Sequence, residues 1–114
     1  LALAESTGGS IVNPAAFCGV IGLCPTYGRV SRYGLIDYAN SLDKIGTMAK
    51  NSVDAALLLE IIAGKDAHDS TSNDNKLGSL TLGKGIKGLR VGIINESFGQ
   101  GVDDRIAEKV KDAV

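Results

Sequence analysis

A serine follows two glycines and precedes an Asn-Pro pair in the stretch Glu5-Ser6-Thr7-Gly8-Gly9-Ser10-Ile11-Val12-Asn13-Pro14-Ala15-Ala16. Asn13 is typical of a helix N-cap and Pro14 of the first helical position. This arrangement gathers free backbone N–H groups around the Ser10 hydroxyl. Such donors hold the oxyanion that forms when a hydroxyl attacks a carbonyl, or they bind a phosphate without any chemistry. The loop lacks the Walker lysine and the dinucleotide glycine pattern, which disfavours the phosphate interpretations.

The elements around this loop alternate between extended and turn patterns. Apolar residues 1–4 indicate the end of a strand, and residues 19–23 indicate a buried extended segment that Pro25 ends. Residues 26–38, with two glycines, predict a long ordered loop. Residues 39–50 predict a turn that leads into a strand.

The clearest helical pattern covers residues 53–63. Asn51 or Ser52 is the expected N-cap, and Gly64 is the expected end. Almost every residue of this segment is apolar, so we expect the helix to be buried on all sides, covered in part by other elements of a larger parent protein.

The last third of the chain predicts a connection, a strand and a helix. Residues 65–85 are polar and predict a surface connection. Residues 89–94 form the continuous apolar run typical of a strand that is covered on both faces. Asp103 or Asp104 is the expected cap of a final helix. Helices and covered strands therefore alternate, which predicts the α/β class.

The composition limits the class of protein. The chain has 114 residues, of which 44% are hydrophobic and 22% charged, as expected for one modest globular domain. The net charge is −1 and the basic residues are scattered, so the basic surface of a nucleic-acid binder is missing. No apolar run reaches the roughly 18 residues that a membrane span requires. Because Leu1 is not a methionine and residues 106–114 resemble an interrupted helix, we expect an interior fragment of a longer protein.

The two cysteines do not predict a metal site. Cys18 and Cys24 lack the second Cys/His pair that a zinc site requires. A disulfide is allowed by number alone. We favour free thiols in a reducing cytosol, because nothing else in the sequence indicates secretion.

A nucleophilic serine needs a base within hydrogen-bond reach. The single histidine, His68, lies in a polar loop that nothing in the sequence anchors, whereas a triad histidine needs a fixed orientation. We therefore interpret His68 as a solvated loop residue. Lys44 and Lys50 flank turns, where solvated lysines are common. The residues alone predict a nucleophile and an oxyanion loop without the base.

Other polar residues predict structural roles. Arg29 and Arg32 are expected to anchor loops, and Asp43 is expected to cap or anchor the turn before the strand. Tyr33 adjoins a glycine, so it either lines a pocket or packs within its loop.

Several ordered motifs are shared with a known family: Thr7-Gly8-Gly9-Ser10, Pro14-Ala15-Ala16 and Gly22-Leu23-Cys24-Pro25-Thr26-Tyr27-Gly28. They resemble the amidase signature family. Two later regions resemble its tRNA-dependent amidotransferase members, namely Arg29-Val30-Ser31-Arg32-Tyr33-Gly34-Leu35-Ile36 with Ser41-Leu42-Asp43, and residues 54–64 with Asp69-Ser70-Thr71-Ser72. The resemblance implies a mixed β-sheet covered by helices on both faces. Residues 1–114 would then be an interior fragment of a single amidase signature domain.

The resemblance also implies a catalytic machinery. Ser10 would be the nucleophile, and the backbone N–H groups around Thr7, Gly8 and Gly9 would form the oxyanion hole. A second Ser on a cis peptide and a Lys would complete the triad, both upstream of Leu1, so we expect the fragment alone to be inactive. The lysine must be neutral, which requires burial or neighbouring groups to lower its pKa. The family implies no metal.

The implied activity is that of a glutaminase subunit. Ser10 would hydrolyse the glutamine amide and supply ammonia for converting Glu-tRNA(Gln) to Gln-tRNA(Gln), or Asp-tRNA(Asn) to Asn-tRNA(Asn). The implied partners are glutamine, B- and C-type amidotransferase subunits and, through the complex, misacylated tRNA. ATP and Mg²⁺ would be used by the partner subunit, with no cofactor in this fragment. We expect a cytoplasmic protein that binds neither membrane nor DNA.

Two positions depart from the family pattern. Ser6 stands where the family usually has Asp, and Val12 where it often has Arg. Their joint change resembles replacement of a salt link.

Two alternative functions remain open. One is a different amidase signature hydrolase that acts on small amides, and the other is a non-catalytic scaffold or anion-binding module.

Overall fold

The computed structural model describes residues 1–74, 77, 85 and 87–114. Its elements are strand β1 (Ala2–Ser6), helix α1 (Val12–Phe17), strands β2 (Ile21–Leu23) and β3 (Lys44–Ala49), helix α2 (Ser52–Ile62), a 3₁₀ turn (Asn95–Phe98) and helix α3 (Asp104–Asp112). The chain divides into two compact units, residues 1–82 and 83–114. None of the helices in the described part is long and apolar enough to cross a membrane.

The first unit is built on a three-stranded antiparallel sheet in the order β1-β3-β2. Its central strand, β3, pairs Lys44 with Ser6 of β1 and Met48 with Gly22 of β2. The strands predicted around residues 1–4, 19–23 and 39–50 are thereby confirmed. The register also brings Ser6, which directly precedes the glycine loop, beside Lys44, which directly follows Asp43.

Helix α1 packs on one face of the sheet through two glycines. A Cβ atom at Gly46 would lie 2.3 Å from the Leu23 carbonyl oxygen and 2.7 Å from Ile11 Cδ1. A Cβ atom at Gly22 would lie 2.7 Å from Ala15 Cβ. Ile11 and Ala15 are fully buried against this glycine surface. The helix therefore approaches the sheet at a distance that no side chain at either glycine position allows.

Helix α2 covers the opposite face. Neighbouring residues of a strand point to opposite faces, so Thr47 faces away from the surface of Gly46. Thr47 is fully buried, and its Oγ1 donates a hydrogen bond of 2.9 Å to the Ala55 carbonyl oxygen of α2. The sheet thus has helices on both faces, as the family resemblance implied.

The ends of α2 agree with the sequence. Asn51 is the N-cap, and its side chain accepts a hydrogen bond of 2.8 Å from the Asp54 N–H. Within the described residues the helix is covered on only part of its surface, because Leu57 is 50% exposed and Ile61 is 80% exposed. That other elements of a larger parent cover these side chains stays a prediction.

Two local predictions around α1 are also wrong. The helix begins at Val12, with Ile11 in the N-cap position and no side-chain cap. The Asn13 N–H donates to the Gly9 carbonyl at 2.9 Å, so Asn13 already lies in the first turn. Pro14 is third in the helix, where the missing N–H still has no helical partner to lose. The extended segment around Ile21 is not fully buried, because β2 is an edge strand and Ile21 is 41% exposed.

The second unit confirms one prediction and contradicts another. Asp103 caps α3 by accepting a hydrogen bond of 2.9 Å from the Arg105 N–H. Residues 89–94 form no strand, and Leu89 and Ile94 are exposed, because no described segment pairs with them. Most of the predicted polar connection at residues 75–85 lies outside the described residues.

The contact of α1 with the sheet predicts the effect of a single added methyl group. We expect Gly46→Ala to lower the free energy of unfolding of the intact protein by about 1–3 kcal/mol, because the methyl group would overlap Ile11 Cδ1, at the start of α1, as well as the Leu23 carbonyl oxygen. Chemical denaturation measures this change. Gly92→Ala is the matched control, since a Cβ there meets no described atom within 4 Å. Equal stability of the two variants would contradict the packing of α1 on the sheet described above.

Candidate active site around Ser10

The predicted site residues lie together in the loop that joins β1 to α1. Ser10 and Gly8 are exposed, whereas Thr7 and Gly9 are half-buried. An open groove of about 580 Å³ lies over this loop and is lined by Glu5, Thr7, Gly8, Gly9, Ser10 and Tyr38. The structure therefore brings the predicted nucleophile and the three predicted oxyanion residues to one surface.

The loop presents backbone donors that have no acceptor within the described part of the chain. The N–H groups of Gly8, Gly9 and Ser10 form no hydrogen bond there, and neither does the Ser10 hydroxyl. A Cβ atom at Gly8 would meet nothing within 4 Å, so a substrate has free access to the backbone. Such a set of N–H groups suits the charge that develops on a carbonyl oxygen under attack.

A buried carboxylate holds the loop from behind. Asp43 has no exposed surface. Its Oδ1 accepts a hydrogen bond of 2.6 Å from Thr7 Oγ1. Its Oδ2 accepts bonds of 2.7 Å and 2.8 Å from the N–H groups of Tyr38 and Ala39. The prediction that Asp43 anchors its turn is confirmed. The sequence did not reveal the bond to Thr7, because nothing local marks a partner 36 positions away.

These contacts change the acidity of Asp43. The Thr7 hydroxyl has the largest effect and lowers the pKa of the carboxyl below its ordinary value of 3.8, while burial opposes this change. The N–H groups of Tyr38 and Ala39 and the charge of Arg32 lower the pKa further. Asp43 is therefore ionised at neutral pH, as its acceptor role requires.

The Lys44 side chain contacts the backbone of the same loop. The Lys44 ammonium donates to the Thr7 carbonyl oxygen at 3.4 Å and also to the Leu42 carbonyl oxygen. Within the described part of the chain, neither a lysine nor a histidine lines the groove of Ser10. Lys44 thus supports the loop, and these residues provide no base for Ser10.

His68 lies in a different groove. Its ring is 67% exposed, with Nδ1 3.1 Å from Asp66 Oδ1 and the ring centroid 4.7 Å from that of Tyr33. Both rings line a groove of about 280 Å³ that does not include Ser10. The exposure agrees with the prediction of a solvated loop histidine. The contacts of His68 with Asp66 and Tyr33 were not predicted from the sequence.

Arg32 confirms the prediction of a loop anchor. Its side chain is 10% exposed, and Nη2 donates to Thr71 Oγ1 at 3.1 Å while Nη1 donates to the Asn40 carbonyl oxygen. The Arg32 N–H donates to Asp69 Oδ2 at 2.8 Å, and the guanidinium carbon lies 4.7 Å from the Tyr27 ring centroid. These contacts fasten the long loop that leads to Tyr38.

The two departures from the family pattern occupy different environments. Ser6 is buried at the end of β1, and Val12 is exposed on α1. Cys18 and Cys24 are exposed free thiols, as expected. Among the residues that the structure describes, no group of His, Cys, Asp and Glu side chains could hold a metal ion.

Known proteins of one family are similar to this chain over nearly its whole length. A family model described as Amidase matches residues 1–114. The A subunit of glutamyl-tRNA(Gln) amidotransferase from Persephonella marina is 56% identical over 114 residues, a match that covers 98% of this chain and 24% of that protein. The protein of the same name from Thermodesulfovibrio yellowstonii is 52% identical over 115 residues, covering 99% of this chain and 24% of that protein. The chain thus spans about a quarter of the length of these relatives.

A solved structure extends the comparison to the fold. The crystal structure of the glutamyl-tRNA(Gln) amidotransferase A subunit from Thermotoga maritima matches with a TM-score of 0.91 and 41% sequence identity. The match covers 97% of this chain and 25% of that one. The predicted fold class is confirmed by this match.

The lowered pKa of Asp43 predicts a pH-dependent stability difference. We expect Asp43→Asn to destabilise the intact protein most at about pH 7. A carboxylate whose folded pKa is depressed stabilises the fold above its unfolded pKa and loses that effect as the pH falls through the folded pKa. The difference between parent and variant should therefore persist down to about pH 4 and shrink at lower pH. Denaturation midpoints across this range measure it, and a difference that grows in acid would contradict the assignment.

Proposed function

Since this chain belongs to the amidase family, we propose that it carries the nucleophile of a glutaminase subunit in a tRNA-dependent amidotransferase. Its relatives are named as amidotransferase A subunits, which supports an enzyme of that kind. The observation that carries the assignment of Ser10 is its exposed position beside the unbonded N–H groups of Gly8 and Gly9.

The proposed reaction follows from the loop geometry. Ser10 Oγ attacks the side-chain carbonyl carbon of glutamine while its proton passes to a base. The carbonyl oxygen becomes an oxyanion and is stabilised by backbone N–H groups of the loop from Thr7 to Ser10. The C–N bond then breaks, and the nitrogen leaves as ammonia after receiving a proton. Water hydrolyses the glutamyl ester, which releases glutamate and restores the Ser10 hydroxyl.

The base is proposed to come from outside the described loop. By the family resemblance, a bridging Ser and a neutral Lys N-terminal to Leu1 accept and return the proton. Lys44 does not fit this role, because its ammonium already donates to the carbonyl oxygens of Thr7 and Leu42. The residue order in the family thus explains why the groove described here holds the nucleophile without its base.

The proposed partners follow from the division of labour in such an enzyme. B- and C-type subunits complete the complex, and a partner subunit uses ATP and Mg²⁺ to activate the carboxyl group of misacylated tRNA, which then accepts the ammonia. The substrate is Glu-tRNA(Gln) or Asp-tRNA(Asn), and the complex is cytoplasmic. The scattered basic residues and the net charge of −1 suit a subunit that does not grip tRNA by itself.

A second activity uses the same loop. The Ser10 groove is open and has a volume of about 580 Å³, so it also admits small amides other than glutamine. A hydrolase of this kind would use the Ser10 chemistry without partner subunits and without ammonia transfer.

Replacement of the nucleophile tests the proposal in the intact protein with its partner subunits. We expect Ser10→Ala to reduce glutamine hydrolysis by at least about 10³-fold, because the acyl-enzyme can no longer form. The melting temperature should be unchanged, since the Ser10 side chain is exposed. Ser52→Ala is the matched control, because Ser52 is also exposed and begins α2 away from the groove. His68→Ala should leave the rate of glutamine hydrolysis nearly unchanged, because His68 does not line the Ser10 groove.

Covalent trapping separates the candidate functions. An electrophilic glutamine analogue should form one adduct on Ser10 that excess glutamine blocks, and peptide mass mapping locates it. Full glutamine turnover by Ser10→Ala would disprove the nucleophile assignment. Hydrolysis of small amides in the absence of partner subunits, with no reaction on glutamine, would favour the second activity.

A further inference from the structure

We propose that Asp43 is a positioning residue that fixes the nucleophile loop through the Thr7 hydroxyl, and that this contact sets the rate of the chemical step at Ser10. The inference rests on the proposed role of Ser10 as nucleophile. It concerns a residue that does not line the Ser10 groove and that has no exposed surface.

The bond from Thr7 to Asp43 has the geometry of a strong contact. The distance of 2.6 Å between Thr7 Oγ1 and Asp43 Oδ1 lies in the range of charge-assisted O–H···O⁻ bonds, which are about twice as strong as neutral ones. Both backbone bonds to Oδ2 are 2.8 Å or shorter. Every oxygen of the carboxylate is thus engaged, and the group cannot rotate without losing a partner.

Thr7 has one hydroxyl proton, so only one acceptor can receive it. Glu5 Oε1 lies 3.2 Å from Thr7 Oγ1, which is 0.6 Å farther than Asp43 Oδ1. The shorter contact to the fully buried carboxylate identifies Asp43 as the acceptor. The Thr7 side chain therefore points its proton away from the groove, and the loop offers substrate only its backbone N–H groups.

This bond is the shortest side-chain hydrogen bond to the loop. Among the described residues, the side-chain hydrogen bonds of residues 7–10 all involve Thr7. Its hydroxyl lies within donating distance of Asp43 and Glu5, and its carbonyl oxygen accepts from Lys44. The Lys44 contact is long, at 3.4 Å. Without the Asp43 bond, the segment between the end of β1 and the first turn of α1 loses its strongest restraint. Small displacements of a reacting group cost rate steeply, by roughly 10²-fold for about 1 Å.

The same carboxylate also holds a second segment that lines the groove. Asp43 Oδ2 accepts hydrogen bonds from the N–H groups of Tyr38 and Ala39, and Tyr38 lines the groove together with the Ser10 loop. One buried group therefore bonds both the nucleophile loop and the segment that carries Tyr38. This is a function in the geometry of the reaction, distinct from general support of the fold.

The test removes the hydroxyl while keeping the side-chain shape. In the intact protein with its partner subunits, we expect Thr7→Val to lower kcat for glutamine hydrolysis by about 10- to 100-fold, with KM changed by less than about 3-fold. Thr7→Ser should remain within about 3-fold of the parent, because it retains the proton that Asp43 accepts. The rate of Ser10 capture by the electrophilic glutamine analogue should fall in parallel with kcat.

Thr71→Val is a matched control for loss of a threonine–aspartate bond. Thr71 Oγ1 donates to Asp69 Oδ1 at the same distance of 2.6 Å, and neither residue lines the Ser10 groove. It should leave kcat within about 3-fold of the parent even where it lowers the melting temperature, because Arg32 loses one contact but keeps those with Asn40, Asp69 and Tyr27. Asp43→Ala should lower kcat at least as much as Thr7→Val, because it also releases the N–H groups of Tyr38 and Ala39. The double variant should lose no more than Asp43→Ala alone, since Thr7 then has no Asp43 bond left to lose.

Different failures have different signatures. If hydrolysis requires Ser10 but Thr7→Val keeps the parent kcat, the positioning role is disproved while the nucleophile stands. Multiplying losses in the double variant, or a kcat loss in Thr71→Val equal to that in Thr7→Val, would also disprove it. If hydrolysis does not depend on Ser10, the proposed function and this inference both fail. Where Asp43→Ala does not fold, the comparison of Thr7→Val with Thr7→Ser decides.

Discussion

Ile11 lies against two glycines of the sheet, and the position of the candidate site depends on this close contact. Because Gly22 and Gly46 carry no side chain, α1 can approach β2 and β3 until Ile11 and Ala15 are fully buried. The residue before Ile11 is Ser10. The loop is thus held at one end by a buried isoleucine and at the other by Ser6, which is also buried, while its middle remains open to solvent. Tight packing of the residues at both ends of the loop thus holds it in place while its middle is exposed.

The charged side chains around the loop also differ between its sheet side and its open side. Asp43 and Lys44 contact the loop from the side of the sheet, and each is engaged by several partners. The open side presents mainly uncharged groups, with Glu5 as the exception among the residues that line the groove. Neutral backbone donors at the surface, with ionised groups bonded behind them, are suited to a reaction in which negative charge appears only transiently.

The predictions from sequence were accurate where the signal is local. The Ser10 loop, the Asn51 cap and the Asp103 cap each depend on a few neighbouring residues, and the structure has them where they were expected. Predictions that need a distant partner were weaker. Leu57 and Ile61 are apolar but exposed within the described residues. An apolar composition does not reveal which side of a helix the sheet covers. One local prediction also failed, because the cap of α1 was placed at Asn13 whereas the first turn reaches back to the Gly9 carbonyl. The Thr7–Asp43 bond has no sequence signal, and only the sheet register brings its partners together.

The separation of Thr7 from Asp43 has a consequence for synthesis of the protein. The two residues are 36 positions apart in the chain, and the ribosome adds about 5–20 residues per second. The nascent chain therefore carries the serine loop for roughly 2–7 s before its carboxylate partner has been made. Closing so long a loop also costs conformational entropy. The Thr-Gly-Gly-Ser segment consequently acquires its geometry late, as a product of folding, and cannot be transplanted as a short peptide.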